Sequence, residues 1–129
     1  MNCALKGLII VFVSIAMLGC SNLQPRSADN WIGYTEAGKA SYYANRHQFK
    51  KTASGELYNH NLKTAAHKKL PFGSKVKVTN VKNGNSVVVK INDRGPYVRG
   101  RIIDLSKSAF GVIGSTSSGL ISVRIEVIE

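Results

Sequence analysis

The stretch Val87 to Leu105, VVVKINDRGPYVRGRIIDL, constrains the fold more than any other part of the chain. Val87–Asn92 and Arg101–Leu105 are short, apolar and rich in β-branched residues, which suits the pleated, half-buried surface of a strand. Between them Asp93-Arg94-Gly95-Pro96 forms a tight loop, because Gly-Pro is turn punctuation. A carboxylate held at a strand end by a rigid turn suits chemistry. The same residues also describe an ordinary salt-bridged turn, and this stretch alone does not separate the two.

The flanking sequence extends the β pattern. Ser74–Val81 alternates, with Val76 and Val78 on one face and Lys75, Lys77 and Thr79 on the other. Lys82-Asn83-Gly84-Asn85 supplies the Asn-Gly hairpin signal, and Ser86–Asn92 returns as the partner strand. Leu120–Ile128 alternates Ile121, Val123, Ile125 and Val127 against Ser122, Arg124 and Glu126. Gly38–Tyr43 has strand composition, and Leu62–His67 reads as either strand or turn. Ser106 is a natural N-cap for a short helix beginning Lys107-Ser108-Ala109-Phe110. The expected architecture is all-β: about six strands and one short helix, closed as a small barrel.

The chain has 129 residues, and its start reads as a leader. Leu8 to Leu18 is apolar apart from Ser14, the length of a signal-peptide core and short for a bilayer span. It ends in Met17-Leu18-Gly19-Cys20, which resembles a bacterial lipobox, with Met17 where leucine is usual. On that reading residues 1–19 are a lipoprotein signal peptide and Cys20 carries the lipid. A plain secretion signal or a short membrane anchor is the alternative. Residues 20–37 read as a polar tether, with Trp31 and Tyr34 either packed on the domain or left in the tether. Residues 38–129 read as the domain. With Cys3 in the leader, the mature chain holds Cys20 alone and cannot form an internal disulfide.

The formal charge is +11, or +10 once Lys6 leaves with the leader (11 − 1). For an exported protein this points to anionic envelope polymers or lipid head groups, not nucleic acid, and much of it is simply a solvated surface. Between Gly38 and Ile125 the carboxylates are Glu56, Asp93 and Asp104. Glu56 and Asp93 lie on glycine-containing loops. Asp104 interrupts an apolar strand, where an unpaired acid is expensive, so it either caps a loop or serves a site. His67 falls in a half-apolar stretch, where a lone histidine is most often a structural hydrogen-bonder. Cysteine and histidine spacing offers no metal site, and no cofactor motif is present.

Taken in order, ASYY, TASGE, TAAHKKLPFG, NDRGP and RIIDLS closely resemble the RlpA family of rare lipoprotein A, septal-ring lytic transglycosylases built on a double-psi β-barrel. The resemblance runs from Gly38 to the C-terminus, plus the leader. It implies an endolytic enzyme that cuts peptidoglycan glycan strands, preferring those stripped of stem peptides, in the bacterial envelope. Its active-site positions fall here on Glu56, His67 and Asp93, with Asp104 as a weaker supporting acid. Asp93 is expected as acid/base and Glu56 as its ionised partner, or the two exchanged. His67 is expected to orient Asp93 or bind sugar, and Arg94 and Tyr43 to bind substrate, with Arg94 otherwise facing a different acid. Ser21 after the cysteine implies the outer membrane in preference to the inner. Longer family members add a SPOR domain that binds denuded glycan, and this sequence is expected to be a short form without one. A basic surface is expected to substitute in part, because muramic acid keeps its lactyl carboxylate. A non-catalytic, expansin-like glycan-binding barrel and an inverting hydrolase remain alternatives.

Overall fold

The computed structural model describes residues 28–129. The leader, Cys20 and the first part of the tether therefore lie outside the described residues. Six strands close into a barrel: β1 (Thr35–Tyr42), β2 (Thr64–Ala66), β3 (Lys75–Asn80), β4 (Ser86–Asp93), β5 (Arg101–Leu105) and β6 (Ile121–Val127). Their order around the barrel is β1-β5-β2-β4-β3-β6. Two pairs are parallel, β1 with β5 and β2 with β4, and the rest are antiparallel. This closed, mixed six-stranded barrel matches the expected double-psi fold.

Alternation explains the barrel wall. Val76 and Val78 of β3, Val87, Val89 and Ile91 of β4, and Val123, Ile125 and Val127 of β6 all turn inward and are buried. The intervening lysines, serines and arginine face out. Closure leaves no strand edge free for another chain to pair with. A helical plug, α1 (Lys107–Ile113), packs Ala109, Phe110 and Ile113 into the core. The Ser106 side chain caps α1 by accepting the Ala109 N–H, as its position predicts. The helix runs through Gly111, because the burial of Phe110 and Ile113 outweighs the cost of one glycine.

Two strands differ in extent from their sequence reading. β1 begins at Thr35, inside the stretch read as tether, because residues 35–40 pair with β6. Trp31 and Tyr34 meet edge to face, 5.1 Å between ring centroids, and pack against the core. β2 is a strand of three residues, all buried, so it shows no alternation. Gly38 lets β1 approach β5 closely: a Cβ there would stand 2.6 Å from Ile102 Cγ2.

Candidate functional site

The register brings the C-terminal ends of β1 and β4 level with Asp104, near the end of β5: Asp104 pairs with Ser41 of β1 and with Ala66 of β2, and Ala66 pairs with Asp93. These strand ends wall a cleft of about 660 Å³ at one rim of the barrel. Tyr43 follows β1, Asp93 ends β4, and Arg101 and Asp104 belong to β5. Arg46, His47 and Tyr97 come from loops over the rim.

Asp93 has the most constrained carboxyl in the cleft. Its Oδ1 accepts the N–H groups of Ala53 and Arg94, each at 2.9 Å. Its Oδ2 accepts the Tyr43 hydroxyl at 2.5 Å. Burial, and then the bond to Asp93, push the Tyr43 phenol far above its ordinary pKa. Tyr43 therefore keeps its hydrogen and is the donor. Its ring is held in turn by Tyr58 at 4.3 Å and His47 at 5.4 Å. The Ala53 donor comes from the 52–56 loop, which is tied to the end of β4 by the Ser54 N–H on Asn92 O at 3.1 Å.

Asp104 shares this cleft. Ser41, its register partner on β1, donates to Oδ1 at 2.5 Å, and Arg101 Nη2 donates to the same oxygen at 2.5 Å. The acid inside an apolar strand is thus paired, and about a fifth of its side chain remains exposed, 19%.

Glu56, His67 and Arg94 take other positions. Glu56 lies outside the cleft wall; its side chain is 48% exposed and its Oε2 accepts Lys90 Nζ at 2.8 Å. The His67 ring is not turned to Asp93. It is 3% exposed and its Nε2 is 2.9 Å from Glu36 Oε2. Only the His67 backbone reaches Asp93, donating its N–H to Asp93 O at 3.2 Å. Arg94 faces neither an acid nor open cleft through its Nη1. That nitrogen donates to Leu70 O at 2.8 Å and His67 O at 3.2 Å, and the guanidinium covers the Phe72 ring at 4.0 Å. Backbone carbonyls of a turn need hydrogen-bond partners and here take a guanidinium's N–H groups in place of a carboxylate, and sequence adjacency to Asp93 does not reveal them.

Two residues escaped the sequence reading. Glu36 was read as tether, yet it is the partner of His67 across 31 positions. His47, which is not among the sequence-predicted site residues, lines the cleft against Tyr43. Among the described residues no group of three histidines, cysteines or acids stands together as metal ligands.

The family described as "Lytic transglycolase" matches residues 35–125. The "Endolytic peptidoglycan transglycosylase RlpA" of Pasteurella multocida is 55% identical over 97 residues, 75% of this chain and 33% of the relative. That of Vibrio cholerae is 54% identical over 103 residues, 80% of this chain and 39% of the relative. The chain thus spans between a third and two-fifths of the length of these curated relatives. Among solved structures, the Streptomyces papain inhibitor is similar with a TM-score of 0.63 and 22% identity, covering 76% of this chain and 97% of the inhibitor. An expansin variant of Clavibacter michiganensis in complex with cellohexaose is similar with a TM-score of 0.56 and 20% identity, covering 74% of this chain and 50% of the expansin. These two likenesses concern the fold. The cleft, the barrel and the sequence match over residues 35–125 together show that the chain belongs to the lytic transglycolase family, in the barrel it shares with the RlpA proteins.

Proposed function

We propose that the protein is an endolytic lytic transglycosylase. It would cut peptidoglycan glycan strands, prefer strands without stem peptides, and leave 1,6-anhydro-muramic acid ends. The observation that carries this reading is the seat of Asp93, a carboxyl gripped by Ala53, Arg94 and Tyr43 at the wall of an open cleft.

Such a reaction needs one group that first gives and then takes a proton. Oδ1 of Asp93 already receives two N–H groups, so Oδ2, with Tyr43 as its single neighbour, is the oxygen that carries the mobile proton. That proton passes to the glycosidic oxygen as its bond to the muramoyl C1 breaks. The substrate's own C6 hydroxyl then closes on C1, and its proton returns to Asp93. No water is consumed, and Asp93 ends as it began. Positive charge develops at C1 on the way, and a nearby carboxylate stabilises it. Both remaining acids are ion-paired, Asp104 with Arg101 and Glu56 with Lys90; Asp104 suits that role better because it lines the cleft and Glu56 does not. Glu56 then anchors the 52–56 loop that supplies the Ala53 N–H. Arg101 is already paired with Asp104, so Arg46 is the cleft cation that would meet a muramoyl carboxylate. We further propose that Cys20 is lipidated, and that the barrel faces the periplasm from the outer membrane with no role in nucleic-acid binding.

One observation favours a second reading. Every oxygen of Asp93 already has a donor, as in a structural acid, and an expansin barrel of similar fold is known with cellohexaose. A non-catalytic glycan-binding barrel would look alike. Digestion of purified denuded strands, read by mass, separates them. Products lighter by one water than hydrolytic ones support transglycosylation. Products with reducing ends indicate a hydrolase, and intact strands that nonetheless bind indicate the expansin-like barrel.

A further inference from the structure

The proposed chemistry makes no use of the His67 imidazole, which is buried away from the cleft. Its Nδ1 accepts the N–H of Lys69 at 3.1 Å and of Leu70 at 3.2 Å. A ring nitrogen that accepts two N–H groups carries no hydrogen, so the imidazole proton resides on Nε2. Nε2 donates to Glu36 Oε2 at 2.9 Å, and the Tyr34 hydroxyl donates to the same oxygen at 3.2 Å. The two bonds to Nδ1 fold residues 67–70 into a turn. Carbonyls of that turn, His67 O and Leu70 O, are the ones that hold the Arg94 guanidinium. The Arg94 N–H in turn holds Asp93 Oδ1. Asp93 is therefore gripped from behind by a series of contacts that starts at Glu36.

We propose that Glu36 and His67 are positioning residues for Asp93: Glu36 fixes the His67 tautomer, His67 Nδ1 shapes the 67–70 turn, and that turn holds Arg94 and with it the Asp93 carboxyl. The proposal rests on the reading of Asp93 as the acid/base. Two consequences separate it from a histidine that touches substrate. The turn needs only an acceptor near the backbone at position 67, which asparagine supplies through Oδ1 and alanine does not. Acid also dismantles the turn, because a protonated imidazole carries hydrogen on Nδ1 and cannot accept. The groups facing the ring are Glu36 and Tyr34 from β1 and the residue before it, Lys68 and Lys69 from its own loop, and Arg94 after β4; β5 contributes apolar Ile102. Burial opposes protonation most strongly, Glu36 favours it, and Arg94 and Lys69 oppose it. Removing the Glu36 charge therefore moves protonation to lower pH.

The test compares wild type, H67A, H67N and E36Q in the intact chain. Turnover of denuded strands is measured against pH, and amide exchange is followed at Lys69, Leu70 and Arg94. H67A is expected to lower kcat about 100-fold with KM little changed, the scale of a misplaced catalytic group. H67N recovers about ten-fold or more of that loss, the worth of one hydrogen bond. E36Q shifts the acid limb of kcat to lower pH. The three amides lose protection together in H67A, and in wild type at acid pH, and stay protected in H67N. Should H67A fail to fold, H67N and E36Q carry the comparison. An H67N as inactive as H67A with its amides protected overturns the proposal, and so does an acid limb that E36Q leaves in place. Exchange needs no turnover. A wild type with coupled amides but no anhydro products overturns the proposed activity and leaves the positioning series standing. Amides that exchange independently overturn the series whatever the activity.

Discussion

Asp93 is held by donors from three separate places: a loop before β2, the residue after β4 and the end of β1. No local window of sequence contains that arrangement. The residue itself was legible through the NDRGP resemblance, since the stretch alone describes an ordinary salt-bridged turn equally well. Its partners were not, because Ala53 and Tyr43 lie 40 and 50 positions away. Tyr43→Phe removes the donor to Oδ2 without changing the ring packing against Tyr58. Its kcat is expected to fall about ten-fold, one hydrogen bond to a charged group, with the melting temperature nearly unmoved. Steady-state kinetics on denuded strands checks it. Asp104→Asn and Glu56→Gln distinguish the two remaining acids. The proposed mechanism expects the larger kcat loss from D104N, and from E56Q a stability change of about 1 kcal/mol or less, since its ion pair is exposed. An E56Q protein that folds and binds glycan but cannot cut would return Glu56 to the role the resemblance gives it.

The strands divide by how they are buried. β3, β4 and β6 have one face in water, so their alternation announces them. β2 is buried throughout and three residues long, and such a segment has no period to read. β1 was read three residues late, since Thr35-Glu36-Ala37 carries little apolar signal until β6 pairs with it. α1 was legible from its cap, and its extent follows from packing. Phe110 is fully buried and tilts against Tyr42 at 4.8 Å, linking the plug to the strand that leads to Tyr43. Phe110→Ala is expected to cost about 3–5 kcal/mol, the range for deleting a large buried aromatic. Urea unfolding measures it, and a loss under about 1 kcal/mol would mean the plug collapses to fill the cavity.

At the scale of the whole molecule, stability and activity answer to pH through the same buried ring. Burial holds the His67 pKa below its ordinary 6.5. Above that value the ring is neutral in both folded and unfolded chains, and its contribution to stability is complete. As pH falls below it, the unfolded chain takes a proton that the folded one refuses, so stability declines with acid until the folded ring titrates. Melting temperatures measured downward from neutral pH are expected to fall more steeply in wild type than in H67N; identical slopes would exclude this linkage. The charge of +11 suits an anionic polymer, and the match to lytic transglycolases concerns the barrel, residues 35–125. What the barrel does with such a polymer is decided most directly by digesting denuded strands with wild type and Asp93→Asn side by side. The mechanism predicts anhydro-ended fragments from wild type, a loss of about 100-fold or more in D93N as expected for removing a general acid, and the same melting temperature for both. Anhydro fragments released by D93N at the wild-type rate would contradict it.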